Sequence, residues 1–176
     1  MFEGAREPKP WFHGDSSPRS DFSNQRWDRD PSVASRLEFG PGIYFTSRLE
    51  EAESYGPYVF QTTVPSHFKL VPRKKPSLRA VEHFASFADD DDRDTFLSNW
   101  PDYTWRQALS RYAGADTLYD AFLNLYIDLF RDPDSWVAAL RSAGYDGVVL
   151  SMMHRQPQRR FLIVWSPEKL RIEPMF

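Results

Sequence analysis

Four histidines, no cysteine and an uneven distribution of arginine and tyrosine define the chemistry open to this 176-residue chain. His13, His67, His83 and His154 are nowhere four residues apart, so the spacing gives no support to a metal site on one helix face. The lack of cysteine removes a thiol nucleophile, a disulfide framework and any cysteine-ligated zinc or iron–sulfur site. The patterns GxxxxGK[ST], GxGxxG, HExxH and GxSxG do not occur. P-loop phosphate binding and serine-hydrolase chemistry are therefore disfavoured. What remains is a set of short clusters: His13-Gly14-Asp15-Ser16, Tyr44-Phe45, Tyr55-Gly56 and Arg159-Arg160.

The elements that must hold these clusters can be read from the pattern. Trp11 to His13, ended by Gly14-Asp15, predicts a strand running into a turn. Residues 15–41 are rich in Ser, Arg, Asp and Pro and read as one long loop. Ile43 to Thr46 is β-branched and aromatic, hence a strand, and Thr46 or Ser47 is placed to cap a helix with Glu50 and Glu51 in its first turn. Gly56-Pro57 ends that helix. Tyr58 to Val64 alternates as a strand, and Phe68 to Val71 reads as another. From 79 to 142 the period turns helical. Leu118, Phe122, Leu125 and Leu129 fall on one stripe of a long helix, and a second helix starts at Pro133 and stops at Gly144, burying Trp136, Val137 and Leu140. Strands return at Gly147 to Leu150, Phe161 to Trp165 and Leu170 to Ile172.

Strands at both ends around a helical block give an α+β class, with the first and last strands in one sheet and residues 79–142 as a helical insertion. The length favours one domain spanning 1–176. Net charge is −3, which argues against a bulk polyanion binder, although Arg73 to Lys75 and Arg155 to Arg160 are locally basic. No apolar run reaches the roughly 18–20 residues of a membrane span, and MFEGAREPKPW has no signal-like apolar stretch. The expectation is a cytoplasmic protein without membrane contact. Trp100, Tyr103 and Trp105 read either as core or as a recognition surface, and the acidic run from Asp89 to Asp94 as an exposed loop or a helix start.

Taken in order, four segments resemble the ADP-ribosyltransferase superfamily, on the side that includes diphtheria toxin and the poly(ADP-ribose) polymerases. Trp11-Phe12-His13-Gly14-Asp15-Ser16 is similar to its strand ending in His-Gly-Ser/Thr. Gly42-Ile43-Tyr44-Phe45-Thr46 is similar to its Gly-Ile-Tyr-Phe strand, and Ala52-Glu53-Ser54-Tyr55-Gly56 to the Ala-x-x-Tyr helix that follows, with matching spacing from Tyr44 to Tyr55. Ala143 to Val149 with Phe161 to Pro167 resembles the family's ending. The resemblance covers the first and last thirds of the chain; the helical block has no counterpart.

The resemblance implies a split-sheet core of two small packed sheets and cleavage of NAD⁺ as substrate. Breaking the nicotinamide–ribose bond passes through an oxocarbenium-like state, so the site must orient the dinucleotide, hold the leaving group and stabilise positive charge. By the same resemblance, His13 would bond a ribose hydroxyl and the Gly14 backbone the nicotinamide amide. Tyr44, beside Phe45, and Tyr55 would flank the nicotinamide ring, and Asp15 or Ser16 would lie near the adenosine ribose. Read from the residues alone, both tyrosines serve equally as packing.

One position departs from the family. Its glutamate before the last core strand, which bonds the nicotinamide-ribose hydroxyl, is replaced by Arg160, and no Asp or Glu occurs between Asp146 and Glu168. Three readings follow. The chain is a mono-ADP-ribosyltransferase, of toxin or effector type, acting on a macromolecular acceptor, with the missing carboxylate supplied by the acceptor or by another loop. Alternatively, Arg160 serves phosphate chemistry, as arginines do in the tRNA 2′-phosphotransferases of the same fold. In the third, the site is inactive and binds NAD⁺, ADP-ribose or a partner. The loop from 151 to 160, with His154, would face the acceptor.

Overall fold

The computed structural model describes residues 9–19, 21–22, 39–151 and 159–175. Six strands form one antiparallel sheet: β1 (Trp11–Asp15), β2 (Ile43–Thr46), β3 (Tyr58–Thr62), β4 (Gly147–Ser151), β5 (Arg160–Val164) and β6 (Glu173–Pro174), in the order β4-β5-β2-β1-β3-β6. The α+β class holds. The arrangement is one sheet instead of two packed ones, but it is pinched. β5 meets β2 over four register pairs and β1 meets β3 over five, whereas β1 and β2 share only Phe12↔Thr46 among the described residues. The first strand and β5 belong to the same sheet with β2 between them.

Among the described residues six α-helices accompany the sheet: α1 (Leu49–Glu53), α2 (Leu78–Ala85), α3 (Asp90–Ser98), α4 (Trp105–Ser110), α5 (Leu118–Leu125) and α6 (Pro133–Ser142). The helical block forms where the periodicity places it. Its starts are set by side-chain caps: Ser77, Asp89, Thr104, Thr117 and Asp132 each accept an amide of the first turn, and Thr104/Gln107 and Thr117/Asp120 close reciprocal capping boxes. The acidic run is thus the cap and first turn of α3, where the helix dipole favours it.

Three expectations shift. The long helix from 118 gives way at Tyr126–Phe130 to a π-turn, closed where the Arg131 amide donates to the Tyr126 carbonyl (2.8 Å) with Arg131 in the left-handed region at φ 56°. Phe68 to Val71 makes only an isolated bridge, Leu70↔Gly147, and the terminal strand falls at Glu173–Pro174 instead of 170–172. α1 begins at Arg48 without a side-chain cap, because the Thr46 hydroxyl donates to Glu51 instead.

Alternation along the strands separates two cores. On one face Ile163, Trp165 and Val148 meet the helices through Phe84, Leu118, Phe122, Leu125, Trp136 and Leu140. Trp136 and Trp165 are fully buried, with their indole N–H groups donating to the Phe122 and Pro41 carbonyls at 2.8 Å. Each such burial contributes about 1.5–3 kcal/mol. On the other face Trp11, Phe45, Phe60, Leu162 and Val164 are covered by Phe22, Phe68 and Leu170, which come from loops. The stripe of α5 and the aromatic residues around it are core. Among the described residues no helix is long and apolar enough to cross a membrane.

Candidate functional site

The predicted residues gather at the pinch between β1 and β2, divided between the two faces of the sheet. Phe12 pairs with Thr46, so Phe12, Gly14, Tyr44 and Thr46 point to the α1 face, and Trp11, His13, Asp15 and Phe45 to the other.

Past the single pair, where a continuous ladder would match Gly14 with Tyr44, the Tyr44 carbonyl instead accepts from His13 Nδ1 at 2.7 Å. A carbonyl only accepts, so Nδ1 carries the proton and Nε2 presents a lone pair. That Nε2 is buried and has no hydrogen-bond partner among the described residues; Asp15 Oδ2 stands 3.7 Å away. Phe22 sits edge-on to the imidazole at 5.5 Å, and Phe45 lies 5.4 Å from it. Burial lowers the His13 pKa below its ordinary 6.5, outweighing the Tyr44 carbonyl and the Asp15 charge, and keeps the ring neutral.

Asp15 accepts the Ser17 amide on Oδ1 (3.1 Å) and pairs with Arg19 through Oδ2. Burial alone would raise its pKa, but the Ser17 amide and the Arg19 guanidinium outweigh it and hold the carboxyl below its ordinary range. Ser16 is exposed at the strand end. Phe22 lies against His13, with Arg19 5.7 Å from the Phe22 ring centroid. Sequence reasoning assigned no role to Phe22 or Arg19; both lie in a stretch without periodicity.

On the α1 face, Gly14 is required by contact. A Cβ there would stand 1.8 Å from the Ala52 carbonyl oxygen and 3.3 Å from Tyr55 Cβ, so only glycine lets the end of α1 lie directly on β1. This brings Tyr55 beside Gly14, and the Tyr55 ring is 60% exposed. Tyr44 packs against the helical core, its hydroxyl donating to the Gly40 carbonyl at 2.5 Å. Tyr44, Gly14 and Tyr55 therefore share one face, and His13 reaches the pinch from the other.

The two arginines at the start of β5 part company. Arg160 falls on the His13 face, its guanidinium 5.7 Å from the Trp11 ring centroid. Arg159 lies on the α1 face, its Nε 3.5 Å from Glu51 Oε1. His154 and the rest of 152–158 lie outside the described residues, as do 20 and 23–38 of the long loop. Among the described residues no group of three His, Asp or Glu side chains could hold a metal ion.

Neither a family model nor a curated protein matches the sequence. Among solved structures, the chain is similar to a crystal structure of an anti-CRISPR protein, at 14% identity over 94% of each chain with a TM-score of 0.41. At that identity and score the likeness carries no argument about function.

Proposed function

We propose that the chain is an NAD⁺-dependent mono-ADP-ribosyltransferase, moving one ADP-ribose to a macromolecular acceptor, protein rather than nucleic acid, with release of nicotinamide. The observation that carries this reading is His13 at the pinch, its Nδ1 fixed on the Tyr44 carbonyl and its buried Nε2 left without a partner among the described residues. A buried acceptor without a donor costs stability, of order 1–3 kcal/mol, and a bound hydroxyl would recover it. The neutral imidazole fits a dinucleotide rich in ribose hydroxyls, since it can accept a hydroxyl. Tyr55 offers an exposed ring to a cationic nicotinamide. NAD⁺ supplies the activated glycosidic bond; the chain binds, orients and shields it.

The Arg160 substitution is compatible with this reading. On Trp11, at the opposite face from Tyr55, its charge is held away from the tyrosine side of the pinch. The same placement, with Arg159 engaged by Glu51, weighs against a phosphotransferase built on these arginines. One observation favours a second reading, a binder without turnover: the Phe22 ring seated against His13 closes that side of the site.

The two readings separate by experiment. If the transferase reading is right, NAD⁺ raises the Tm of the wild-type chain by mass action, nicotinamide appears, and His13→Ala loses both. A Tm shift without nicotinamide supports the binder. No response to NAD⁺ overturns both.

A further inference from the structure

Oxocarbenium chemistry calls for a carboxylate near the breaking bond, and hydrogen bonds to the adjacent sugar 2-hydroxyl strengthen as charge develops. Position 160 does not provide one. Asp15 lies on the His13 face, away from Tyr55. Of the two glutamates that line the cleft beside Tyr55, Glu50 is exposed and Glu51 is not. Glu51 was expected only as a favourable charge in the first turn of α1, but its side chain is just 8% exposed. Its Oε2 accepts the Thr46 hydroxyl at 2.6 Å, and its Oε1 faces Arg159. Thr46 pairs with Phe161, and the Ser47 amide donates to the Arg160 carbonyl at 3.1 Å, so this carboxylate stands at the very start of β5.

Glu51 and Tyr55 are one helical turn apart and line the same cleft of about 420 Å³, with Arg48 and Arg159 at its rim. We infer that Glu51 is the catalytic carboxylate of the site, delivered from α1 instead of from β5, and that it accepts the 2′-hydroxyl of the nicotinamide-side ribose. The inference rests on the transferase reading above. In the step it serves, the C1′–N bond breaks with its electron pair passing to the nicotinamide nitrogen. The acceptor's lone pair forms the new bond to C1′, and the acceptor's proton passes to solvent. Glu51 stabilises the positive charge that develops between these events, while Thr46 and Arg159 hold its two oxygens in place.

The test compares wild type, Glu51→Gln and Glu53→Gln on NAD⁺ and on its analogue lacking the 2′-hydroxyl of the nicotinamide ribose, reading nicotinamide release and the NAD⁺-induced Tm shift. Glu53 lies outside the cleft, so its variant should match wild type. Glu51→Gln keeps an oxygen for Thr46; it should lose about 100-fold in kcat on NAD⁺ with the Tm shift retained. On the deoxy analogue, wild type and Glu51→Gln should agree within about threefold, because the group on which Glu51 acts is gone. Equal losses on both substrates would make Glu51 a mere brace of α1 and overturn the inference. So would wild-type turnover by Glu51→Gln while His13→Ala is dead, which leaves the transferase reading standing. A wild-type chain that neither binds nor cleaves NAD⁺ brings down both.

Discussion

The two faces of the sheet are built on opposite principles. The helical face is covered by five capped helices whose large side chains interlock, and the buried Trp136 and Trp165 indoles are both paired, although Arg93 Nε lacks a partner among the described residues. The opposite face is covered by loop residues, and at the pinch beside it a buried imidazole nitrogen has no partner among the described residues. The helical face is close to what stability alone would select. The pinch carries polar groups that stability alone would have removed. The groups that folding alone does not require therefore sit at the joint of the sheet, where one imidazole stands in for a missing ladder pair.

Substitutions can break or sharpen this contrast. The largest effect is expected in the helical core, where Trp136→Ala removes a fully buried indole and its hydrogen bond. A loss of about 3–5 kcal/mol in denaturant unfolding is expected. Gly14→Ala should follow at about 1–3 kcal/mol, since its methyl collides with the Ala52 carbonyl. In contrast to Trp136→Ala, it should also weaken the NAD⁺-induced Tm shift of the folded protein, because α1 and Tyr55 must retreat.

Asp146→Asn tests the joint between β4 and β5. Asp146 accepts the Lys69 amide (2.9 Å) and the Lys169 ammonium (2.7 Å), and although burial opposes it, these bonds hold its pKa below 3.8. A depressed carboxyl contributes stability that is present above pH 3.8 and lost as pH falls through the folded value. Acid unfolding of the wild type should therefore steepen below pH 4, and less so in Asp146→Asn. The cost at pH 7 is expected to be about 1–2 kcal/mol, discounted because Lys169 is half exposed.

The smallest effect belongs to His13. Its folded pKa is lowered, so the unfolded chain binds the proton first, and stability falls as pH drops from about 6.5 toward the folded value. Melting curves between pH 7 and 5 should show this slope in the wild type and a flatter one in His13→Gln.

Much of the fold is legible in the sequence because its signals are local. The Pro133 start of α6 and the stripe of α5 follow from period and caps, and the strands read at 11–13, 43–46 and 161–165 form at 11–15, 43–46 and 160–164. The π-turn after Leu125 is not legible, since apolar spacing at 126–130 fits an α-helix equally well. Nor is the single sheet: which strands pair, and that β1 and β2 share one register pair among the described residues, depends on non-local contacts. At the site, the sequence points to His13, Gly14, Tyr44 and Tyr55 but cannot tell that Phe45 and Phe22 enclose the imidazole. It also reads Thr46 or Ser47 as a helix cap, whereas no side chain caps α1 and the Thr46 hydroxyl is drawn to Glu51.

The most direct test of the central claim uses NAD⁺ labelled on its adenylate half, incubated with the full chain and a cell extract, with His13→Ala alongside. The account predicts label on protein in the wild-type reaction and none in the variant. Label on protein that is undiminished in His13→Ala, or no label on any macromolecule, would contradict it.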